Sequence, residues 1–176
     1  SDALTGLGAH DAVQTDATIG EEVTYEMVIT LPEIPMDAVS LVDTLPSGLE
    51  FVSASVGTVG TDVAFAANTI VNSGPTVTYT FTDLTRVVDG TFDGDDQITV
   101  LLTARVTDVA SNGDGAEVVN SATLTVTPEG EPALTPQTAT ADIDSVEPLL
   151  TAEKDGNIAV APGETVAYTA TFTNAG

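Results

Sequence analysis

Apolar and polar residues alternate along most of this chain. Strict alternation is typical of a β-strand with one buried face, because successive side chains of a strand point to opposite faces. Two shorter segments with the same tendency lie at 38–44 and 49–56. The longer alternating sets are Val23, Tyr25, Met27, Ile29 and Leu31; Val77, Tyr79 and Phe81; Ile98, Val100, Leu102, Ala104 and Val106; Val118, Ala122, Leu124 and Val126; and Ala139, Ala141 and Ile143.

Turn residues separate these segments. The runs are Leu-Pro-Ser-Gly at 45–48, Asn-Ser-Gly-Pro at 72–75, Asp-Gly at 93–94 and Asn-Gly at 112–113. Proline presets φ and glycine accepts a positive φ, so such runs favour tight reversals of the chain. No segment of about ten residues has the spacing of an amphipathic helix. Many short strands with turns between them predict an all-β fold, an antiparallel β-sandwich with Greek-key connections.

The end of the chain repeats its beginning. Residues 19–30, IGEEVTYEMVIT, align without a gap with residues 162–173, PGETVAYTATFT, at a constant offset of 143 (163 − 20). A fixed offset of domain size indicates a tandem array of domains. We therefore predict a complete β-sandwich repeat over residues 1–146 and the first strands of a second repeat over residues 147–176.

The second repeat contains a segment that we call the assembly strand. Its apolar face is formed by Val166, Tyr168, Ala170 and Phe172. A single strand neither pairs its backbone nor buries such a face. Two explanations stay open: the remainder of a second domain follows in the native protein, or the strand inserts into a neighbouring subunit. Insertion of this kind, called strand donation, builds filaments.

Three motifs carry a resemblance to a known family. They are Gly-Glu-x-Val-x-Tyr, present in both repeats, then VDTLPSGLEFV at 42–52 and VVNSATLTV at 118–126. In this order they resemble the bacterial cell-surface repeats catalogued as domain of unknown function eleven, over residues 19–126 in outline and over 150–176. The resemblance implies an immunoglobulin-like extracellular domain without catalytic activity. Such domains recur in adhesins, surface layers and other envelope proteins, where their partners are neighbouring copies.

The composition narrows the range of functions. The chain has 27 Asp and Glu against 3 Lys and Arg, a net charge of −24, so nucleic acid and anionic membranes are expected to repel it. No apolar run approaches the ~20 residues of a membrane-spanning helix. Without cysteine there is no disulfide framework and no thiol nucleophile. His10 is the only histidine, and no motif of a hydrolase or a phosphate-binding loop is present. We predict a structural protein of the cell surface rather than an enzyme.

Two acidic segments are candidate calcium sites. Calcium takes six to eight oxygen ligands, which closely spaced carboxylates supply, although neither segment has the full EF-hand pattern. The alternative is a solvated acidic loop in an acidic protein. The first segment contains Asp89, Asp93, Asp95 and Asp96, and the second, at the junction of the repeats, contains Asp142, Asp144 and Glu147. These sites support an alternative function, a calcium-dependent ligand-binding adhesion module.

Two polar residues of the family-like motifs have structural interpretations. We expect Asp43 to cap the turn at 45–48 through its carboxylate. Asn120 has the same parity as Val118 and Ala122, so we expect a buried amide that hydrogen-bonds to backbone groups. Related surface domains join such an Asn to a Lys of the first strand through an isopeptide bond. The first repeat has no Lys, because Lys154 is the only one in the chain, so it cannot form this bond within itself.

Overall fold

The computed structural model describes residues 15–147, 150–155, 162–163, 165–166 and 168–174. In these residues regular structure is almost entirely β, with one single-turn 3-10 helix at Gly94–Asp96. No helix in these ranges is long and apolar enough to cross a membrane. The strands are β1 (Thr15–Thr18), β2 (Glu22–Thr30), β3 (Met36–Thr44), β4 (Leu49–Val59), β5 (Val63–Ala64), β6 (Ala67–Ser73), β7 (Thr76–Arg86), β8 (Gln97–Val106), β9 (Ala116–Pro128), β10 (Gln137–Val146), β11 (Leu150–Asp155) and β12 (Thr169–Asn174).

Ten of the strands form two sheets that face each other. One sheet has seven strands in the order β1-β10-β9-β3-β7, with β5 and β6 both pairing along the far edge of β7. The other has three strands in the order β2-β8-β4. All pairs are antiparallel except β1 with β10, which runs parallel with Thr15 opposite Ile143. The predicted immunoglobulin-like β-sandwich is confirmed.

The core lies between the inward faces of the two sheets. The alternating residues of β8, from Ile98 to Val106, are almost completely buried, as are Val77, Tyr79 and Phe81 of β7. Tyr79 also joins the sheets by a hydrogen bond, because its hydroxyl donates to the carbonyl oxygen of Leu101 at 2.7 Å. These strands therefore follow the alternation in the sequence, and burial of their apolar faces supplies the main stabilising term.

One predicted face is largely uncovered. Ile143 is buried as expected, but Ala139 and Ala141 are exposed, although they share its side of β10. Their cross-strand neighbours on β9 include the buried Asn120 and Ala122, so they belong to the inward face. The expectation of a buried face along all of β10 is wrong. The physical reason is that the three-stranded sheet, which ends at β2, does not reach over this part of β10.

The turn at 45–48 is a structural corner, but for a different reason from the one predicted. Gly48 does not adopt a positive φ. A Cβ atom at Gly48 would lie 2.0 Å from Oδ1 of the buried Asn112. The Asn112 amide donates to the carbonyl oxygens of Gly48 at 2.8 Å and Thr107 at 2.9 Å. Glycine is needed here because another loop packs directly onto its α-carbon.

Candidate functional site

A kink in β7 turns an arginine into the interior. Asp83 has φ of 51°, in the left-handed region, and the spacing of buried residues changes there from two to three. Phe81 is buried, and so are Leu84 and Arg86 beyond the kink. Simple alternation from Phe81 would have pointed Arg86 outward. Alternation alone therefore predicts no role for Arg86.

Arg86 ties together the loops at one end of the sandwich. Its Nε donates to the buried Asp96, its Nη1 to the carbonyl oxygen of Leu31 at 3.1 Å, and its Nη2 to that of Thr91 at 2.6 Å. Nη2 also pairs with Glu33 at 3.3 Å. Two carboxylates and two carbonyl groups thus surround the buried guanidinium. They balance its charge and accept its hydrogen bonds.

The first predicted calcium segment is organised around this arginine. Asp89 accepts hydrogen bonds from the backbone amide and the hydroxyl of Thr91. The hydrogen bond from the backbone amide is the main cause that lowers the pKa of Asp89 below its usual value. Asp93 caps the 3-10 helix by accepting from the Asp95 amide at 2.9 Å. Asp96 pairs with Arg86 and accepts from the Asp93 amide at 3.0 Å.

The residues of the second predicted segment lie at the end of β10. Asp142 and Asp144 are half-buried in that strand, and the Glu147 amide donates to Oδ1 of Asp114 at 3.3 Å. Across the ranges that the structure describes, no three acidic or histidine side chains are grouped closely enough to hold a metal ion. Calcium binding therefore stays a prediction from sequence.

A second polar cluster lies between the sheets, on β3 and β9. Asp43 is fully buried and accepts a hydrogen bond from Nδ2 of Asn120 at 2.8 Å. The prediction that the Asn120 amide is buried and hydrogen-bonded is confirmed, but its partner is this carboxylate rather than the backbone. The expectation that Asp43 caps the neighbouring turn is wrong, because its side chain points inward, like those of Val39 and Leu41 on the same strand.

This cluster borders a cavity of about 320 Å³ between β2 and β10. Asp43, Asn120 and the buried Tyr25 of β2 all line the cavity, beside apolar side chains that include Met27 and Leu41. Three buried oxygen atoms in it have no hydrogen-bond partner: Oδ1 of Asp43, Oδ1 of Asn120 and the hydroxyl of Tyr25. Leaving such atoms unsatisfied costs about 1–3 kcal/mol each, so a hydrogen-bond donor that entered the cavity would offset this cost.

The cluster also perturbs two pKa values. Burial raises the pKa of Asp43 to about 6, and the hydrogen bond from Asn120 opposes the rise. Burial and then the charge of Asp43 raise the pKa of Tyr25 to about 12. At neutral pH the cavity thus holds a buried carboxylate beside a neutral phenol. The charge has the Asn120 amide as a hydrogen-bond donor, and none of the residues that the structure describes places a cation within ion-pair distance of it.

The assembly strand lies in a two-stranded sheet. β12 contains Ala170 and Phe172 and pairs antiparallel with β11, with Ala152 opposite Phe172. Val166 and Tyr168 precede β12. The strand is therefore not alone, yet Phe172 is 78% exposed and Tyr168 is 55% exposed. Two strands without a covered face fall short of what a stable sheet needs.

Comparison with solved structures shows the fold. The chain is similar to BcpA, the major pilin subunit of Bacillus cereus (13% identity, TM-score 0.58, covering 90% of this chain and 51% of that one). It is also similar to the 35 kDa C-terminal fragment of the major pilin GBS80 of Streptococcus agalactiae (14% identity, TM-score 0.52, covering 81% of this chain and 54% of that one). A cohesin from scaffoldin B of Acetivibrio cellulolyticus is a third match (14% identity, TM-score 0.53, covering 76% of this chain and 94% of that one).

These likenesses have clear bounds. The chain spans about half the length of the two pilin chains, and at such identities the likeness establishes the fold alone. No family model matches the chain, and no curated protein sequence matches it either. The resemblance to domain of unknown function eleven thus remains a prediction from the three motifs.

Removal of the buried guanidinium tests the role of Arg86. We expect Arg86→Met to lower the free energy of unfolding by about 3–5 kcal/mol, because it leaves Asp96 buried without its counter-charge. Urea denaturation measures the change. Arg105→Met is the matched control, since Arg105 pairs with Glu22 at 2.6 Å with both side chains nearly half exposed, and should cost at most ~1 kcal/mol. Equal losses in the two variants would contradict this role.

The raised pKa of Asp43 makes the free energy of unfolding depend on pH. Its pKa is higher in the folded than in the unfolded state, so the folded state holds more protons and loses stability as pH rises from about 4 to about 6. Asp43→Asn removes this loss while keeping an acceptor for the Asn120 amide. We expect the variant to exceed the wild type by ~1–3 kcal/mol at pH 7.5 and to match it near pH 3.5. Urea titrations at both pH values measure this, and a pH-independent difference would contradict it.

Proposed function

We propose that this chain is a structural, non-enzymatic repeat of an extracellular bacterial surface protein, such as an adhesin stalk, a surface layer or a filament. Its partners in this role are neighbouring copies of the same repeat or subunit. Three lines support the proposal: the repeated segment at the fixed offset, the family-like motifs, and an immunoglobulin-like sandwich similar in fold to domains of pilins.

The two-stranded sheet of β11 and β12 carries the proposal. All of its described side chains are exposed, including Leu150 and Phe172. Such a sheet becomes stable when further strands or a second layer cover it. The cover is either the remainder of a second repeat or a groove in another subunit. Each of these makes the segment an element that links one domain to the next.

The internal repeat supports one location in the sandwich for this linkage. Residues 169–174 of β12 correspond to residues 26–31 in and just after β2, by the offset of 143 (169 − 26). Among the described residues β2 pairs only with β8, whereas β12 pairs with β11. β2 lies at the edge of the three-stranded sheet, so it has room for a second partner strand. We infer that strand donation from a neighbouring copy would place the donated strand there.

The alternative, a calcium-dependent adhesion module, has less support from the contacts. Asp89, Asp93 and Asp96 already accept hydrogen bonds from their own loop, and Asp96 is paired with Arg86. A metal ion at this site would compete with these contacts rather than complete an empty ligand set.

Self-association of the 176-residue chain tests assembly by strand donation. We expect oligomers or filaments whose amount rises with concentration, seen by sedimentation velocity and negative-stain electron microscopy. Phe172→Ser should abolish them, because it removes the largest exposed apolar side chain of β12. Val88→Ser is the matched control, since Val88 is 67% exposed in a loop outside the sheets. A wild-type chain that stays monomeric would contradict donation between subunits and confine the role to covalently joined arrays.

A further inference from the structure

We propose that the cavity between β2 and β10 is a binding site for a primary alkylammonium group, held by Asp43, Asn120 and Tyr25. All three residues belong to the first repeat, so this site is separate from the β11-β12 sheet.

The number and type of unsatisfied atoms define the ligand. The three oxygen atoms without a partner are a carboxylate oxygen, an amide oxygen and a phenol oxygen, all of which accept hydrogen bonds. A primary ammonium group carries one positive charge and three N–H donors. Its three N–H donors match these acceptors in number, and its charge would neutralise the buried charge of Asp43. Pairing the carboxylate with a cation would offset the free-energy cost of burying its charge.

The walls of the cavity select the rest of the ligand. Met27, Ile29, Leu41, Ala122 and Leu124 line it, so most of its inner surface is apolar. An alkyl stem would lie against these side chains while its ammonium end reaches Asp43, as the stems of lysine side chains do along apolar surface. A divalent metal ion fits less well, because calcium requires six to eight oxygen ligands and the cluster offers three unpaired ones.

The mouth of the cavity favours a cation as well. Exposed Ala139 and Ala141 flank it on β10, and the exposed Glu26 of β2 lines it. The titratable groups that interact with the cluster are Tyr79, whose pKa the charge of Asp43 helps to raise, and Asp142, which contributes to the raised pKa of Tyr25. Neither these groups nor Glu26 at the mouth carries a positive charge, so the field in the cavity attracts a cation.

Binding of n-butylammonium tests the proposal. We expect saturable binding by calorimetry in 0.5 M NaCl, with Asp43→Asn reducing the affinity at least tenfold. Glu117→Gln is the matched control, because it removes one exposed carboxylate from β9, the strand that carries Asn120, and it should bind as the wild type does. Tyr25→Phe removes one unpartnered acceptor while keeping the ring, so it should bind several-fold more weakly although the protein loses no stability.

A second ligand separates this site from the general attraction of an acidic protein for cations. Tetramethylammonium has the same charge without any N–H donor, and we expect no binding by calorimetry. Affinity for n-butylammonium should also fall about tenfold from pH 7.5 to pH 5, as Asp43 takes up a proton and the competent fraction declines. Equal binding of both cations, or wild-type affinity in Asp43→Asn, would overturn the proposal, and so would no binding of n-butylammonium.

The source of the ammonium group is settled by the same titration combined with sedimentation. Lys154 is the only lysine of the chain, and it is exposed on β11. If a second copy supplies the group, n-butylammonium should dissociate wild-type oligomers, and Lys154→Met should weaken them. If a free amine is the ligand, n-butylammonium should bind without changing the sedimentation of either chain. Failure of strand donation would not affect this second outcome, so the two proposals fail separately.

Discussion

The three-stranded sheet is too narrow to cover the sheet that it faces, and much of this molecule follows from that mismatch. The larger sheet is six strands wide, because β5 and β6 share one edge of β7. Strands in a sheet lie about 4.8 Å apart, so the β2-β8-β4 sheet covers only about half of that width. The centre of the sandwich, where β8 lies over β7, is fully buried. At the flanks the larger sheet is uncovered, which leaves β6 and most of the inward face of β10 exposed. The cavity with its polar cluster lies at one of these flanks.

Two of the buried charged residues, Arg86 and Asp43, have opposite surroundings. Arg86 is surrounded by a carboxylate, a second acid and carbonyl oxygens, so its charge stabilises the loops that it joins. Asp43 has one amide donor and otherwise faces apolar walls and a cavity. The first arrangement is complete and structural. The second leaves acceptors without donors, and for this reason we assign it a ligand rather than a role in packing.

The sequence predicted those features that depend on regular alternation. The strands that alternate strictly, such as β2 and β8, are buried as expected, and the parity of Asn120 placed its amide inside correctly. Asp43 has the same parity as Leu41, so alternation along β3 predicts its burial, whereas the turn residues that follow it favour capping. The burial of Arg86 could not be predicted in this way, because the positive φ at Asp83 shifts the alternation by one residue. Kinks of this kind depend on tertiary packing, which local sequence does not specify.

The most direct test of the account is the accessibility of the open flank. The chain has no cysteine, so a single introduced thiol reports on one position. We predict that Ala139→Cys reacts with a small thiol reagent at nearly the rate of Thr140→Cys, which lies on the outward face of the same strand. Ala104→Cys, at a fully buried position of β8, should react far more slowly. If the thiol at residue 139 were as protected as the one at residue 104, this flank of the larger sheet would be covered. That result would contradict both the open cavity between β2 and β10 and the ligand site proposed within it.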